Sequence, residues 1–362
     1  MAAVEPFRAV RYDEGRAGPL ASLVAPPYDV ISPEDRAGYL ARSEHNVVHL
    51  TLPESEEQAR RAFRDWLRDG VLVREHEPSY WALRQDYVGP DGVARARTGL
   101  VAAVRVEPYE RRVVLPHERT HRGPKEGRLR LLRAVRAQLE PILLLYEGIP
   151  PFEIPSGGPD LETNGAALWR LDADPAIERA FAEQQLLIAD GHHRYETAVA
   201  FHEEEGTPEG GFVLAVLVST RDPGLMIFPT HRVFRTRPSP TFAELRRDPK
   251  PDPETALREL AELSRDHAAV VVHERGRTTI AVDGAGLDVE LVDRLGHEGI
   301  TYTPDWEEAV RAVEAGESAV AFLLRPTRIE DVFAVAKRGE TMPQKSTYFY
   351  PKLLSGLLFQ AV

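Results

Sequence analysis

The sequence predicts a mixed α+β fold, and three stretches carry that prediction. Apolar residues recur three and four positions apart over residues 54–69, as in an amphipathic helix. Residues 79–88 and 96–106 alternate polar and apolar side chains on either side of "GPDG", the pattern of two antiparallel strands and a tight turn. The apolar strand "LLIAD" then runs directly into a helical pattern at residue 191. Strand pairs and helices in this order favour a mixed architecture.

Length and composition limit the function classes. The 362 residues suggest two domains, or one large domain with additions, at about 100–200 residues per domain. The formal net charge of −12 opposes nucleic-acid binding, and the lack of cysteine excludes disulfides, thiolate nucleophiles and cysteine-ligated metals. We find no long apolar run and no secretion-signal pattern, and therefore expect a cytoplasmic protein without a membrane partner. Ten basic against four acidic residues between Arg105 and Arg136 still leave a small anionic ligand open.

The N-terminal α+β region, residues 1–105, begins with a proline-rich stretch that we predict to be a loop to about residue 53. Its densest part is "APPYDVISPED", which starts at Ala25. Pro53 and the acidic residues after it suit a helix start, and Gly70 suits its end. The predicted strand pair completes this region.

The central core, residues 106–235, holds most of the motifs with chemical potential. Its predicted elements are a helix at about 124–139, a buried strand at 141–146, a surface excursion at 147–168, a helix at 175–185, a strand at 186–190, the helix after residue 191, and strands at 212–219 and 225–234.

The C-terminal region, residues 236–362, is predicted to be a smaller α+β part that returns to the site. The polar, proline-rich stretch 235–268 favours a linker. Further elements are predicted by alternation and by Pro304 at a helix start, namely strands at 269–273, 277–282, 319–324 and 330–336 and a helix from residue 304.

The most informative junction is "IADGHHRYETA", which starts at Ile188. Asp190 can cap the helix, and Gly191 lets the backbone turn sharply. The N–H groups of the first helical turn have no intrahelical acceptor and favour an anion, so the junction predicts a phosphate cradle. A well-capped helix with structural histidines is the equally weighted alternative. A two-histidine metal site is disfavoured, because adjacent helical residues diverge by about 100°.

A second motif, "LPHERTHRGPKEGR", follows Val114. Glu118 is surrounded by basic residues that would keep it ionised, and a carboxylate beside a phosphate site can act as a general base toward a hydroxyl. A solvated charged loop is the plainer alternative.

The C-terminal motif "MPQKSTYFYPKL" holds Lys345 and Lys352, two of only five lysines, with Ser346 and Thr347 between aromatic residues. Ammonium and hydroxyl donors together suit a phosphoryl or carboxylate ligand, and an aromatic closing strand is the alternative. The N-terminal "APPYDVIS" could add Tyr28 to the same site.

Five motifs in order, "APPYDVIS", "LPHERT", "ADGHHRYETA", "FPTHRVF" and "MPQKSTYFYPKL", resemble the prokaryotic family catalogued as domain of unknown function 1015. The "ADGHHRY" junction with its upstream "PHE", helix and strand "PILLLY" also resembles the ParB/sulfiredoxin-like nucleotide-binding core, especially free-serine kinases. That resemblance implies that the segment from Asp190 to Arg194 embraces nucleotide phosphates and that Glu118 activates a serine hydroxyl. The chain is much longer than a minimal kinase of that type, and its terminal motifs have no counterpart there.

These observations together predict a phosphotransferase that uses ATP or ADP with Mg²⁺ and phosphorylates a small hydroxyl compound, free L-serine first among them. A phosphatase using the same cradle, and a nucleotide-sensing regulatory protein without turnover, are the alternatives. The metal ligands and the number of subunits stay open, with a homo-oligomer among the options. The candidate residues are Glu118 and His193 for catalysis, Asp190, Gly191, His192, His193, Arg194, Lys345, Ser346 and Thr347 for the nucleotide, and Tyr28, Asp29, His117 and Thr120 for the acceptor.

Overall fold

A computed structural model describes residues 2–118, 122–163, 165–238 and 246–362 of the protein. The helices are α1 (Glu14–Ala17), α2 (Leu20–Leu23), α3 (Pro33–Arg42), α4 (Val48–Thr51), α5 (Glu56–Arg68), α6 (Arg122–Val135), α7 (Pro175–Phe181), α8 (His192–Glu205), α9 (Pro253–Glu262), α10 (Asp288–Asp293), α11 (Trp306–Glu314) and α12 (Ile329–Lys337). Short 3-10 turns occupy Tyr28–Val30, Tyr109–Arg111 and Glu209–Gly211.

The strands fall into four sheets. They are β1 (Val4–Glu5), β2 (Ala9–Tyr12), β3 (Leu72–Arg74), β4 (Tyr80–Val88), β5 (Ala94–Arg105), β6 (Val114–Leu115), β7 (Ala137–Gln138), β8 (Ile142–Tyr146), β9 (Leu161–Thr163), β10 (Ala166–Leu171), β11 (Leu186–Asp190), β12 (Phe212–Ser219), β13 (Met226–Phe228), β14 (His231–Phe234), β15 (Arg246–Lys250), β16 (Ala269–Glu274), β17 (Arg277–Val282), β18 (Ile300–Thr303), β19 (Val320–Leu323), β20 (Tyr348–Tyr350) and β21 (Phe359–Ala361).

The largest sheet has nine strands in the order β6-β11-β8-β12-β5-β4-β10-β9, with β1 added against β5. It is mixed, because β11 runs parallel to β6 and antiparallel to β8, while β8 runs parallel to β12. A six-stranded antiparallel sheet follows the order β15-β17-β16-β19-β14-β18. The predicted mixed α+β class is therefore confirmed.

Two small sheets pair the end of the chain with earlier segments. β21 pairs with β2 and β7, and β20 pairs with β13. The segment between Met342 and Lys352, which contains β20, is thereby held beside β13.

The central strands of the nine-stranded sheet are buried on both faces, as their composition requires. In β5, Leu100, Ala102 and Val104 join one apolar cluster, and the alternate residues Val101 and Ala103 join the other. Successive strand residues point to opposite faces, so a strand covered on both sides is apolar throughout. Burial on both faces holds β11 firmly in the sheet, and the candidate functional site begins at the end of this strand.

Several elements follow the sequence prediction closely. The helix predicted at 54–69 is α5, and the strand pair predicted at 79–88 and 96–106 is β4 with β5. The strand at 186–190 and the helix after residue 191 are β11 and α8. Strong periodicity and clear end signals explain this agreement.

The prediction of a loop to residue 53 is wrong, because helices α1 to α4 lie within it. Ser32 caps α3 by accepting the N–H of Asp35 at 3.0 Å, and Pro33 stands in the first turn. Prolines in this stretch resemble turn signals in the sequence, but in the structure they stand at the starts of helices. No helix of the described residues combines the length and apolarity needed to span a membrane.

The other differences lie where short apolar runs are ambiguous. The predicted strand at 330–336 is helix α12, which buries Val332, Phe333 and Val335 on one side. The predicted excursion at 147–168 includes β9 and part of β10. The predicted strand at 225–234 is divided into β13 and β14, which belong to different sheets, and the stretch 235–268 contains β15 and α9.

Candidate functional site

A cleft of about 1220 Å³ opens where β11 runs into α8. Five separate parts of the chain line it besides this junction. The lining residues are Tyr28, Asp29, Val30, Glu118, Ala189, Asp190, Gly191, His192, His193, Arg194, Thr230, Tyr302, Pro304, Gln344, Lys345, Thr347, Tyr348 and Lys352. We call residues 189–194 the α8 wall and residues 342–352 the C-terminal wall.

Glycine is required at the turn between β11 and α8. Gly191 is the N-cap of α8 with φ of 97°, a conformation that other residues rarely adopt. A Cβ atom at this position would lie 2.6 Å from Cγ2 of Ile142, inside van der Waals contact. The absence of a side chain lets the strand end turn tightly into the helix.

The first turn of α8 faces the cleft with its backbone donors. The intrahelical pattern begins with Tyr195, whose N–H donates to the Gly191 carbonyl at 2.9 Å. The N–H groups of His192, His193 and Arg194 precede it and have no intrahelical acceptor. Such a turn stabilises an anion by typically about 0.3–1 kcal/mol, and more where it is partly buried.

Asp190 does not cap α8, contrary to the sequence prediction, because no side chain makes a cap hydrogen bond there. Its carboxylate instead bonds to Nζ of Lys352 and accepts from Arg194 at 2.6 Å. Burial raises the pKa of Asp190, but the charges of Lys352 and Arg194 outweigh burial and hold it well below its usual value. Asp190 thus joins the α8 wall to the C-terminal wall.

Arg194 is committed to the protein itself. Its guanidinium donates to the Pro141 carbonyl as well as to Asp190, and its side chain is almost fully buried. Arg194 therefore shapes the cradle by holding Asp190, and the donors open to a ligand are the backbone N–H groups beside it.

His192 is buried and neutral. Burial lowers the pKa of His192 to about 3, and the neighbouring His117 adds to the effect. Its Nε2 accepts the backbone N–H of His117 at 3.3 Å, and the two rings lie 4.8 Å apart. His192 contributes packing and an acceptor to the α8 wall, while His193 lines the cleft.

Glu118 stands where the α8 wall meets the C-terminal wall. It forms a parallel bridge with Met342, and its Oε1 accepts the N–H of Ser346 at 3.2 Å. Burial raises the pKa of Glu118, but the His117 imidazole and the Lys345 ammonium outweigh burial and hold it well below 4.5. The carboxylate is ionised at neutral pH and lines the cleft.

The C-terminal wall presents Lys345. Its backbone is left-handed, with φ of 58°, and Arg232 donates to its carbonyl at 3.0 Å. The side chain is exposed, lines the cleft and makes no ion pair with any described residue. Lys345 is therefore a cation available to a ligand, whereas Lys352 neutralises Asp190.

The N-terminal motif is fixed to the same place from behind. The Tyr28 N–H donates to Oε1 of Glu140 at 2.9 Å, and the Arg128 guanidinium lies 3.8 Å from the Tyr28 ring centroid. Burial raises the pKa of Tyr28, so its hydroxyl is protonated at neutral pH. Asp29 is exposed and lines the cleft beside it.

Most of the candidate residues meet at this cleft. His117 and Ser346 lie behind the wall: His117 is fully buried, and the Ser346 side chain points to the Pro343 carbonyl. Thr120 lies outside the described residues. No group of three or more carboxylate or imidazole side chains among the described residues could hold a metal ion. The candidate residues that line the cleft are Tyr28, Asp29, Glu118, Asp190, Gly191, His192, His193, Arg194, Lys345 and Thr347.

Sequence reasoning missed other lining residues. Thr230 and Tyr302 come from the six-stranded sheet and its approach, and nothing in their local sequence distinguishes Tyr302. Thr230 lies inside "FPTHRVF", which carried the family resemblance, so the motif was a usable signal. Lys352 is one of only five lysines and lies in the C-terminal motif, so its residue type was also a usable signal. In the structure it pairs with Asp190.

One comparison with known proteins identifies a family, and another finds several similar structures. A model of the family described as Protein of unknown function (DUF1015) matches residues 4–295, which contain four of the five motifs. A free serine kinase in complex with AMP is 19% identical with a TM-score of 0.40, over 68% of this chain and 89% of that chain. A conserved hypothetical protein from Pyrococcus furiosus is 17% identical with a TM-score of 0.38, over 68% and 92%. SbnI with a C-terminal truncation, from Staphylococcus aureus, is 13% identical with a TM-score of 0.39, over 70% and 85%. No curated protein matches the sequence.

Proposed function

The chain belongs to the family described as Protein of unknown function (DUF1015), and we propose that it is a small-molecule kinase. It transfers the terminal phosphoryl group of ATP or ADP to the hydroxyl of a small acceptor, free L-serine. The observation that carries the proposal is one cleft lined by the first turn of α8, by Lys345, which makes no ion pair with any described residue, and by the ionised Glu118. Phosphoryl transfer depends on positioning and on charge stabilisation, and these groups supply both.

The phosphates lie against the α8 wall in this proposal. The N–H groups of His192, His193 and Arg194 bind them, and the His193 side chain and Lys345 stabilise the charge that spreads over the transferring group. Asp190 and Gly191 give the cradle its shape, since Gly191 permits close approach and Asp190 is tied to both walls. On the side of the cleft opposite the α8 wall, the Ser346 N–H donates to Glu118 and holds its carboxylate in place.

Glu118 orients the acceptor hydroxyl. A carboxylate whose pKa lies well below 4.5 is a weak base, so it accepts a hydrogen bond first and takes the proton late in the transfer. That timing is sufficient, because the transition state of phosphoryl transfer is loose and demands little early deprotonation.

The amino acid acceptor is held by opposite charges. Asp29 is exposed in the cleft and makes no ion pair with any described residue, so its carboxylate can receive the ammonium group. The Tyr28 hydroxyl is a neutral donor for the carboxylate of the acceptor. Thr347 lines the same side, and the buried His117 supports it from behind.

Mg²⁺ fits the cleft as a nucleotide-borne ion. The nucleotide phosphates and water would supply most of its ligands, because Asp29 and Glu118 face the acceptor in this proposal and two cations neutralise Asp190. When bound, Mg²⁺ neutralises phosphate charge.

Phosphorus NMR of the full chain with Mg²⁺, L-serine and either ATP or ADP tests the proposal. We expect O-phosphoserine to accumulate, and we expect Lys345→Met to slow it while Lys337→Met, a change in an exposed ion pair, does not. Release of inorganic phosphate without phosphoserine would replace the kinase with a phosphatase. Binding of nucleotide without consumption of it would favour the sensor.

A further inference from the structure

The hydroxyl of Thr347 is in contact with a buried histidine. Its Oγ1 lies 2.9 Å from Nε2 of His117, and His117 is completely buried. Thr347 itself is partly exposed and lines the cleft. A hydroxyl open to the cleft on one side and bonded to an imidazole on the other has the arrangement of an activated nucleophile.

The direction of this hydrogen bond follows from the other ring nitrogen. Nδ1 of His117 lies 2.7 Å from the carbonyl oxygen of Ile188, which can only accept, so Nδ1 carries the hydrogen. In the neutral imidazole Nε2 then has a free lone pair, and the Thr347 hydroxyl donates to it. Nucleophile, base and an acceptor that orients the base stand in a line, as in serine hydrolases.

The surroundings suit the charge that would develop. Oε1 of Glu118 lies 3.7 Å from Nε2 of His117, where a carboxylate stabilises an imidazolium. The Phe349 ring packs 6.0 Å from the imidazole on another side. Burial opposes a positive charge on this ring, so the Glu118 carboxylate is the group placed to offset that cost.

Thr347 is also close to the cradle for phosphates. His117 separates it from His192, the first residue of α8, since the two imidazole rings lie 4.8 Å apart. Lys345 stands two residues earlier in the same wall. One side chain, that of His117, therefore lies between the Thr347 hydroxyl and the α8 N-terminus where a phosphate would bind.

The pair is held rigidly by backbone contacts. Met342 donates its N–H to the His117 carbonyl at 2.8 Å, and the Thr327 hydroxyl donates to the Ser346 carbonyl at 2.8 Å. These contacts hold Ser346, the residue before Thr347, and His117, the histidine that Thr347 meets, so the geometry is present before any ligand binds.

We propose that Thr347 is a nucleophile of this protein and accepts a phosphoryl group when no small acceptor occupies the cleft, with His117 as its base. Oγ1 of Thr347 attacks the terminal phosphorus of a nucleoside di- or triphosphate, and the Oγ1–P bond forms as the bond to the bridging oxygen breaks. The proton passes from Oγ1 to Nε2 of His117, and the leaving nucleotide keeps the electron pair of the broken bond. The choice of a nucleotide as donor rests on the proposed function.

The first arm of the test uses the full chain with ATP or ADP and Mg²⁺ but without L-serine. Intact mass and phosphopeptide mapping should show a single phosphoryl group on Thr347. Thr347→Val should abolish it, Thr347→Ser should restore it, and His117→Asn should remove most of it although the hydroxyl remains. Thr230→Val alters another threonine of the same cleft and should keep the label.

The second arm needs no nucleotide. Diisopropyl fluorophosphate reacts with activated hydroxyl groups, so it should modify Thr347 in the parent chain and much more slowly in His117→Asn. Nucleotide binding by calorimetry is measured in parallel. If nucleotide binds and neither reagent modifies Thr347, the nucleophile is refuted and the proposed kinase is not. If nucleotide fails to bind while the fluorophosphate labels Thr347 through His117, the nucleophile stands and the proposed kinase falls.

Discussion

The two walls of the cleft are built in different ways. The α8 wall is local: six consecutive residues supply the end of a strand, a glycine turn and the first turn of a helix. The C-terminal wall reaches the same place from the end of the chain and depends on distant partners. The His117 carbonyl accepts the N–H of Met342, and Arg232 donates to the carbonyl of Lys345. The Lys352 side chain pairs with Asp190.

A fourth distant anchor explains how the C-terminal wall stays in register. Arg97, fully buried in β5, donates to Gln85 at 2.6 Å and to the Pro351 carbonyl at 2.8 Å. Burial lowers the pKa of Arg97 to about 10, yet it remains charged at neutral pH. A buried cation is costly even where carbonyl oxygens accept from it, and Nε of Arg97 has no hydrogen-bond partner among the described residues. Its position indicates that it orders the segment before Lys352. The local wall is set by backbone conformation, and the distant wall by buried polar contacts.

The largest expected effect comes from Glu118, which joins the two walls. Glu118→Gln keeps an oxygen to accept the Ser346 N–H but removes the charge that orients the acceptor. Turnover should fall by about 10²–10⁴ while nucleotide affinity changes little. Steady-state kinetics and calorimetry separate the two quantities.

Glu126→Gln is the matched control for that change, because Glu126 is an exposed residue of α6 a few positions later. A turnover for Glu118→Gln within a few-fold of the control would remove the orienting role of Glu118.

Gly191→Ala breaks the local wall directly. The added methyl group meets Ile142, and alanine is strained at a φ of 97°, so we expect a loss of about 2–6 kcal/mol in the free energy of unfolding. Gly206→Ala, at the other end of α8, is the control: φ there is 63° and nothing lies within 4 Å of the new methyl group. Its cost should be about 1–2 kcal/mol. Equal costs in urea unfolding would show that the turn tolerates a side chain.

Lys352→Met removes the ion pair with Asp190 that joins the C-terminal wall to the α8 wall. It leaves the buried Asp190 carboxylate with Arg194 as its partner, and we expect a loss of about 3 kcal/mol in the free energy of unfolding. Lys337→Met removes an exposed lysine–carboxylate pair with Glu147 and should cost under about 1 kcal/mol. Similar costs for both variants would mean that Lys352 does not hold the walls together.

The sequence predicted the local wall almost completely. "LLIAD" followed by "GHHRYETA" contains a strand, a turn glycine and a helix within a few residues, and periodicity and turn chemistry report such features directly. The exception is Asp190, whose residue type suits a helix cap. Its actual partner Lys352 lies 162 residues away, and no local pattern contains that information.

For the C-terminal wall, the sequence predicted a functional motif but not the contacts that position it. Lys345 and Thr347 were chosen by residue type, but the contact of Thr347 with His117 spans 230 residues. The neutral state of His192 likewise depends on burial beneath segments far away in sequence. Helix α12 was mistaken for a strand because its short apolar run fits both periods. Long-range pairing and burial are set by the whole chain, so they become visible only when the sheets are assembled.

The smallest expected effect uses pH to compare the walls. His192 has a pKa of about 3 in the folded chain and about 6.5 when unfolded, so below pH 6.5 the unfolded state binds the additional proton. Stability contributed by neutral His192 is therefore present above pH 6.5 and falls as the pH drops from 6.5 toward 3, by about 2 kcal/mol at pH 5. The carboxylates of Glu118 and Asp190 act with the same sign but only at more acidic pH, since their stabilisation is lost below the usual carboxyl range.

His192→Gln separates these contributions, because glutamine can still accept the His117 N–H but takes up no proton. Urea unfolding at pH 7 and pH 5 should show a smaller loss of stability in this variant than in the parent chain. His231, whose pKa burial lowers to about 4, keeps part of the slope in both. The control is His76→Gln, on an exposed turn after β3, which should reproduce the parent profile. If His192→Gln also reproduces it, the imidazole is not desolvated in the folded chain, and the α8 wall is more open to water than its packing against His117 implies.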